Sequence, residues 1–234
     1  MKNLIRESMD NTVDRSVATA LRRKRFVLFR GLIDRLDPPI RILDVGGTEQ
    51  FWDMMKFEAS ERVQITLLNT FPVSVSRPHM QSAVGDARNL SQFADHQFEV
   101  VFSNSVIEHV GGIGDQRKMA DEIRRVGKSY FVQTPNRGFP LEPHFMFPFF
   151  QFLPISCRAK LLQKFNLGWI ARVPDYESAK LAVQTIRLLT RRDLEQLFPE
   201  AEIFEERFLG LTKSFVAYSE WGNQGSHSRN GGPA

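Results

Sequence analysis

The sequence has a single cysteine, Cys157, in 234 residues, so no internal disulfide can form and no cysteine cluster is present to hold a structural zinc. A reducing compartment, the cytoplasm, is the expectation. Long apolar runs are missing too. The most apolar window, FMFPFFQFLP (145–154), falls well short of the roughly 20 residues that cross a bilayer, and prolines interrupt it. The opening MKNLIRESMDN carries acidic and polar residues where a secretion signal requires an unbroken apolar stretch, and no export signal is expected. Charge of one sign is also scarce: 31 basic against 27 acidic side chains leave a formal +4. The basic residues gather in Arg22-Arg23-Lys24-Arg25, Arg124-Arg125 and Arg191-Arg192. Solvated surface charge is the favoured reading of these groups over a phosphate or RNA surface, and binding to RNA would show as a steep salt dependence. The GxGxxG dinucleotide fingerprint is absent and no acidic residue closes the second apolar run, which argues against a nucleotide-dependent oxidoreductase.

What is present is an alternation of helical and strand-length patterns. From Thr12 to Leu36, apolar residues at Val13, Val17, Leu21, Leu28, Leu32 and Leu36 predict an amphipathic helix. Asp37-Pro38-Pro39 ends it, because proline lacks an amide hydrogen and restricts the residue before it. Four short apolar runs follow, IRILDV (40–45), VQITLLN (63–69), MQSAVGD (80–86) and FEVVFSN (98–104), with helical or turn material between them. A helix over 115–126 leads to a fifth strand, KSYFVQT (128–134), which Pro135-Asn136 is expected to terminate. TRRDLEQLF (190–198) reads as a helix capped by Thr190. AEIFEERFL (201–209) and TKSFVAYS (212–219), joined at Gly210-Leu211, read as an antiparallel hairpin. The expected fold is therefore α/β, doubly wound, with a mostly parallel sheet, helices on both faces and the hairpin at its C-terminal end. Residues 1–38 are assigned to the N-terminal helix, 39–220 to one domain containing a Phe/Pro-rich insertion at 137–186, and 221–234 to a disordered tail.

In an open parallel sheet, ligands bind across the carboxyl ends of the strands where the strand order reverses. Here those ends are small or polar while the strand bodies are apolar: Asp44-Val45-Gly46-Gly47-Thr48, Asn69, Gly85-Asp86-Ala87 and Ser103-Asn104-Ser105. RILDVGGT, VGDARNL, FEVVFSNSVIEHV and the strand before TPN stand in an order and spacing that resembles the seven-stranded, class I S-adenosylmethionine-dependent methyltransferases of the methyltransferase type 11 kind. The resemblance covers residues 40–136, and the hairpin is similar to the family's last two strands. It implies S-adenosylmethionine as cofactor and S-adenosylhomocysteine as product. It also implies that Asp44, Gly46 and Gly47 lie beside the methionine and ribose part, Asn69 faces the ribose hydroxyls, and Asp86 with the Ala87 amide meets the adenine. Asn104 and Ser105 would lie under the methionine end, with Glu108 and His109 on the acceptor side. Two departures stand out. The loop Gly46-Gly47-Thr48-Glu49-Gln50 lacks the family's three alternating glycines, and Asn69 stands where a carboxylate is common. They motivate the alternative of a cofactor-binding module that has lost transfer activity.

Methyl transfer is an in-line displacement at a sulfonium carbon, so the protein's part is to align the nucleophile and exclude water. For a hydroxyl acceptor a nearby base helps, and His109 and His144 are the candidates, with Glu108 and Glu142 behind them. No histidine is expected to ligate a metal. After the fourth strand stands Ser103-Asn104-Ser105-Val106, not the Pro-Pro-aromatic tetrapeptide in which enzymes methylating exocyclic base amines resemble one another, and Cys157 lies in the insertion, away from where cytosine-ring chemistry requires its nucleophile. A small-molecule acceptor is expected, with the phenylalanines of the insertion walling an apolar pocket or closing over the core. A lipophilic acceptor would pair with peripheral membrane contact by the basic N-terminal helix, although a helix packed on the sheet is the favoured reading.

Overall fold

Strand β1 (Ile40–Val45) is buried at every position except Arg41, and its side chains alternate between two separate cores. Leu43 and Val45 enter one cluster and Ile40 and Ile42 the other. A strand covered on both faces must lie inside a sheet flanked by helices. The computed structural model describes residues 17–221 and shows that arrangement. The start of the expected N-terminal helix at Thr12, and residues 222–234 of the expected tail, lie outside the described residues.

β2 (Val63–Asn69) and β4 (Phe98–Asn104) pair in parallel with β1 on its two sides, β3 (Met80–Val84) pairs with β2, and β5 (Gly127–Pro135) with β4. β8 (Glu202–Phe208) and β9 (Leu211–Tyr218) form the hairpin, and β9 runs antiparallel to β5. The order is thus β3-β2-β1-β4-β5-β9-β8. The chain winds outward from β1 to β3 and then crosses back to β4, so the order reverses between β1 and β4, the position where such sheets bind ligands.

On one face, α3 (Ile113–Val126) and α6 (Arg191–Leu197) bury Met119, Ile123, Leu194 and Leu197 against Val101 and Val132. On the other, α1 (Val17–Ile33) and the short α2 (Glu49–Met54) bury Phe26, Phe29, Ile33 and Trp52 against Ile65, Val100 and Phe131. The buried face of α1 is turned from the expected Leu21–Leu28 stripe. Phe26, Phe29, Leu32 and Ile33 are buried, whereas Leu21 and Leu28 are half-buried. The aromatic rings account for this, because they bury more apolar area than leucine. Arg25, read from the sequence as surface charge, is also buried there.

Other boundaries moved for identifiable reasons. Pro135 continues β5 instead of ending it, since the strand pairs there with Ser214 of β9. β3 stops at Val84, leaving Gly85-Asp86 as a loop. The hairpin link is Leu209-Gly210, both with positive φ (50° and 80°), and Leu211 already belongs to β9. Thr190 caps α6 as expected, in a reciprocal capping box with Asp193. Trp221, assigned to the tail, is 2% exposed and meets Phe29 edge-on with ring centroids 5.7 Å apart.

The insertion is ordered around its own small core. It comprises the two-residue strands β6 (Leu141–Glu142) and β7 (Phe147–Pro148), then α4 (Ile155–Lys164) and α5 (Tyr176–Gln184). Phe145 and Phe150 pack with Leu162, Ala179 and Val183, while Phe149 and Phe152 are more than half exposed.

Candidate active site

The turn after β1 is shaped by contacts that exclude side chains. Gly46 has φ +75°, and a Cβ there would meet Val106 Cγ2 at 2.5 Å. A Cβ on Gly47 would meet Asp44 Oδ2 at 1.9 Å. Asp44 is itself fixed: 1% exposed, it accepts a 2.7 Å hydrogen bond from Trp52 Nε1. Thr48 then caps α2, its hydroxyl accepting from the Phe51 amide, so this loop needs no third glycine to enter its helix. Glu49 accepts from the Ser76 amide and hydroxyl at 3.0 and 2.8 Å, tying the turn to the segment before β3. Asn69 Nδ2 donates to the Gly47 carbonyl at 2.9 Å, which leaves its side-chain oxygen available to accept from a ligand hydroxyl.

An open cleft lies over these strand ends. Gly46, Asn69, Asp86, Ala87 and His109 line it, together with Val106, Val110 and Thr185. Five of the expected site residues are therefore brought together. Asp44 and Gly47 are not on this wall; they lie behind the turn and hold its shape. Asp86 is held well below the usual carboxylate range chiefly by its side-chain hydrogen bonds with Arg88, whose Nε lies 2.9 and 3.0 Å from its two oxygens. Arg88 and Thr185 line the cleft without having been found in the sequence, since Thr185 arrives from the end of α5, over 130 positions after Gly46.

Burial pushes the Asp44 carboxyl up to about 7, against a smaller downward pull from the Trp52 bond. Its folded pKa lies above the unfolded value of about 3.9, so the folded chain holds this proton longer than the unfolded chain does. The resulting stability is present below about pH 4 and is lost as pH rises through about 7, by at most roughly 4 kcal/mol. Asp44→Asn keeps an acceptor for Trp52 and is expected to raise the melting temperature at pH 8, with the two proteins converging near pH 4. Parallel melting curves across that range would contradict the assignment.

Ser105 lines a second cavity, and Asn104 is held by Arg25, one of its wall residues. Asn104 Oδ1 accepts from Arg25 Nη2 at 2.8 Å, and Ser105, with φ +58°, donates from its hydroxyl to Gln133 Oε1 at 2.8 Å. This pocket has an apolar wall of Phe139, Leu141, Met146 and Trp169 and a polar one of Arg22, Arg25, Lys213 and Glu206. Burial lowers Arg22 to about 10 and holds Lys213 below its ordinary value. Ser105 lines this pocket and its neighbour Val106 lines the cleft, so the end of β4 separates the two.

The histidines stand at this boundary. His109, exposed to the cleft, and His144, between the pocket residues Pro143 and Met146, place their Nε2 atoms 3.1 Å apart with rings nearly perpendicular. His144 Nδ1 lies 2.7 Å from Glu142 Oε1, and the other Glu142 oxygen accepts from the Phe145 amide at 2.6 Å. Burial draws the His144 pKa down, but its hydrogen bond to Glu142 and that residue's charge outweigh this and hold it above its usual value. Desolvation by the walls of the cleft, with the charge of His144 beside it, lowers His109 to about 4. Glu108 is 0% exposed; one oxygen accepts from Thr134 Oγ1 at 3.0 Å and the other, Oε1, has no hydrogen-bond partner among the described residues. Burial raises its carboxyl to about 7.

A doubly wound sheet with a polar cleft at its switch point defines a nucleotide-type binding fold, and comparison with known proteins narrows the class. Residues 43–130 match the family model described as "Methyltransferase domain". The matched segment runs from β1 into β5, and the seven-stranded sheet that holds it has the class I methyltransferase fold. A 65-residue stretch is 34% identical to an uncharacterized protein of Mycobacterium tuberculosis, covering 28% of this chain and 22% of that relative's length. The N-terminal domain of EvdMO1, solved in the presence of SAH and D-fucose, is similar at a TM-score of 0.50 and 15% identity, covering 85% of this chain and 82% of that one. The CurJ carbon methyltransferase is similar at a TM-score of 0.50 and 13% identity, covering 82% of this chain and 51% of that one. At these identities the two structures show the fold.

Proposed function

We propose that this protein transfers a methyl group from S-adenosylmethionine to an oxygen or nitrogen of a small-molecule acceptor. The observation that carries the reading is the convergence of Gly46, Asn69, Asp86 and Ala87 on one cleft at the switch point. The adenosine is assigned to that cleft, with the ribose at Asn69 and the adenine amine at Asp86. The acceptor is assigned to the neighbouring pocket, whose walls suit an apolar body carrying an anionic substituent. His109, His144 and Glu108 stand between the two and act on the acceptor. A nucleic-acid acceptor is disfavoured because an arginine of each basic pair is engaged with acids: Arg125 with Glu122 and Asp95, and Arg191 with Glu195 and Glu205. The irregular glycine loop is satisfied by Thr48 and Glu49, which favours a working cofactor site over a degenerate one.

Calorimetry with S-adenosylmethionine and, separately, NADH tests the cofactor. Binding of the methyl donor alone is expected, and absence of binding at near-millimolar concentration would overturn the proposal. Asp86→Ala is expected to weaken that binding about tenfold, the loss of one hydrogen bond to a charged acceptor. An unchanged affinity would show that the adenine lies elsewhere.

A further inference from the structure

Glu108 poses a problem that the fold alone does not explain. A carboxylate oxygen with no partner among the described residues, on a fully buried side chain, costs on the order of several kcal/mol unless a proton or a cation compensates it. Nearby are the Nε2 atoms of His109 and His144, and one ligand atom from each of the three residues lies within 4.8 Å of the others. The 3.1 Å between the two nitrogens is the spacing of adjacent ligands on a centre with bonds of roughly 2.1 Å. Glu142, itself outside the trio, occupies His144 Nδ1. With Nδ1 carrying the hydrogen toward that carboxylate, Nε2 is left bare and aimed inward, the carboxylate–histidine arrangement that orients metal ligands.

We propose that Glu108, His109 and His144 form a divalent-cation site at the junction of the cofactor cleft and the acceptor pocket. Two imidazoles and one carboxylate suit a first-row ion such as Zn²⁺, Mn²⁺, Fe²⁺ or Co²⁺ and leave coordination positions open. The widest separation, 4.8 Å, exceeds the roughly 4.2 Å that two such bonds span, so loading requires these side chains to draw in slightly. Resting on the methyltransferase reading, this deepens it toward a hydroxyl acceptor. The cation binds the acceptor oxygen and lowers its pKa, and the hydroxyl proton leaves to solvent. The oxygen then forms its bond to the methyl carbon as the carbon–sulfur pair returns to sulfur. The alternative occupant of the same geometry is a hydrogen between the two histidines, with a second on Glu108.

The test is titration of the metal-stripped full-length protein with Co²⁺ and Zn²⁺, read by calorimetry and by the visible spectrum of bound Co²⁺. One ion per chain is expected. His144→Ala and Glu108→Gln should abolish that binding, and Glu142→Gln, which keeps all three ligands, should weaken it roughly 10- to 100-fold. Absence of a stoichiometric ion in the wild type overturns the proposal, as does binding unchanged in His144→Ala and Glu142→Gln. S-adenosylhomocysteine affinity measured on the same samples separates the two readings: retained cofactor binding without metal binding removes the cation site alone.

Discussion

Gly47→Ala is expected to abolish measurable cofactor binding and to destabilise the fold by roughly 1–3 kcal/mol, the usual range for overpacking a filled site. The added methyl group would fall 1.9 Å from Asp44 Oδ2. That carboxylate cannot swing aside freely, because it is buried and held by Trp52 Nε1, and Trp52 is one of the largest fully buried side chains in the core. Either the Asp44–Trp52 bond breaks or the turn shifts. A shifted turn moves the Gly47 carbonyl that Asn69 holds, and with it the oxygen assigned to the ribose. Calorimetry with S-adenosylhomocysteine and a urea unfolding curve check both parts. Wild-type affinity in Gly47→Ala would show that the turn does not shape the site.

Arg25→Met is expected to cost about 3–5 kcal/mol, the penalty for leaving a buried carboxylate without its cation. Arg25 on α1 reaches Glu206 on β8 with Nη1 at 3.1 and 3.2 Å from its two oxygens, and both side chains are under 10% exposed. Glu206 accepts once more, from Ser214 Oγ at 2.7 Å, and Arg25 also holds Asn104 at the end of β4. The pair thus fastens the N-terminal helix to the C-terminal hairpin and lines the cavity beside Ser105. The double variant Arg25→Met/Glu206→Gln is expected to recover part of the loss, since it removes both charges together. The denaturation midpoint reads these effects, and a loss under 1 kcal/mol in the single variant would mean that water already solvates Glu206.

Most of the sheet was legible in the sequence because parallel strands buried on both faces read as continuous apolar runs. IRILDV, VQITLLN and FEVVFSN keep their expected limits. α2 was not found: six residues carry too little periodicity, and only the capping oxygen of Thr48 marks its start. The insertion was read as composition alone. Its two helices are organised around Phe145 and Phe150, and no local pattern separates these from the exposed Phe149 and Phe152. At the site, the residues on adjacent strand ends were found by the logic of the fold. Asp44 lies in the core and Ser105 lines the second cavity, since the same strand end serves two cavities and a core, and spacing does not say which. The meeting of His109 with His144 depends on the β6–β7 turn folding back across 35 positions, and the buried cation Arg25 on a contact spanning 181. Neither leaves a trace in local sequence.

S-adenosylmethionine is expected to lie across the ends of β1, β2 and β3 with its sulfur directed toward the junction at His109. A crystal soaked with S-adenosylhomocysteine tests this directly. The predicted result is adenine beside Asp86 and Ala87, ribose hydroxyls on Asn69, and the vacant methyl position facing His109 and the acceptor pocket. Ligand bound elsewhere, or a cleft that stays empty at saturating concentration, would contradict it.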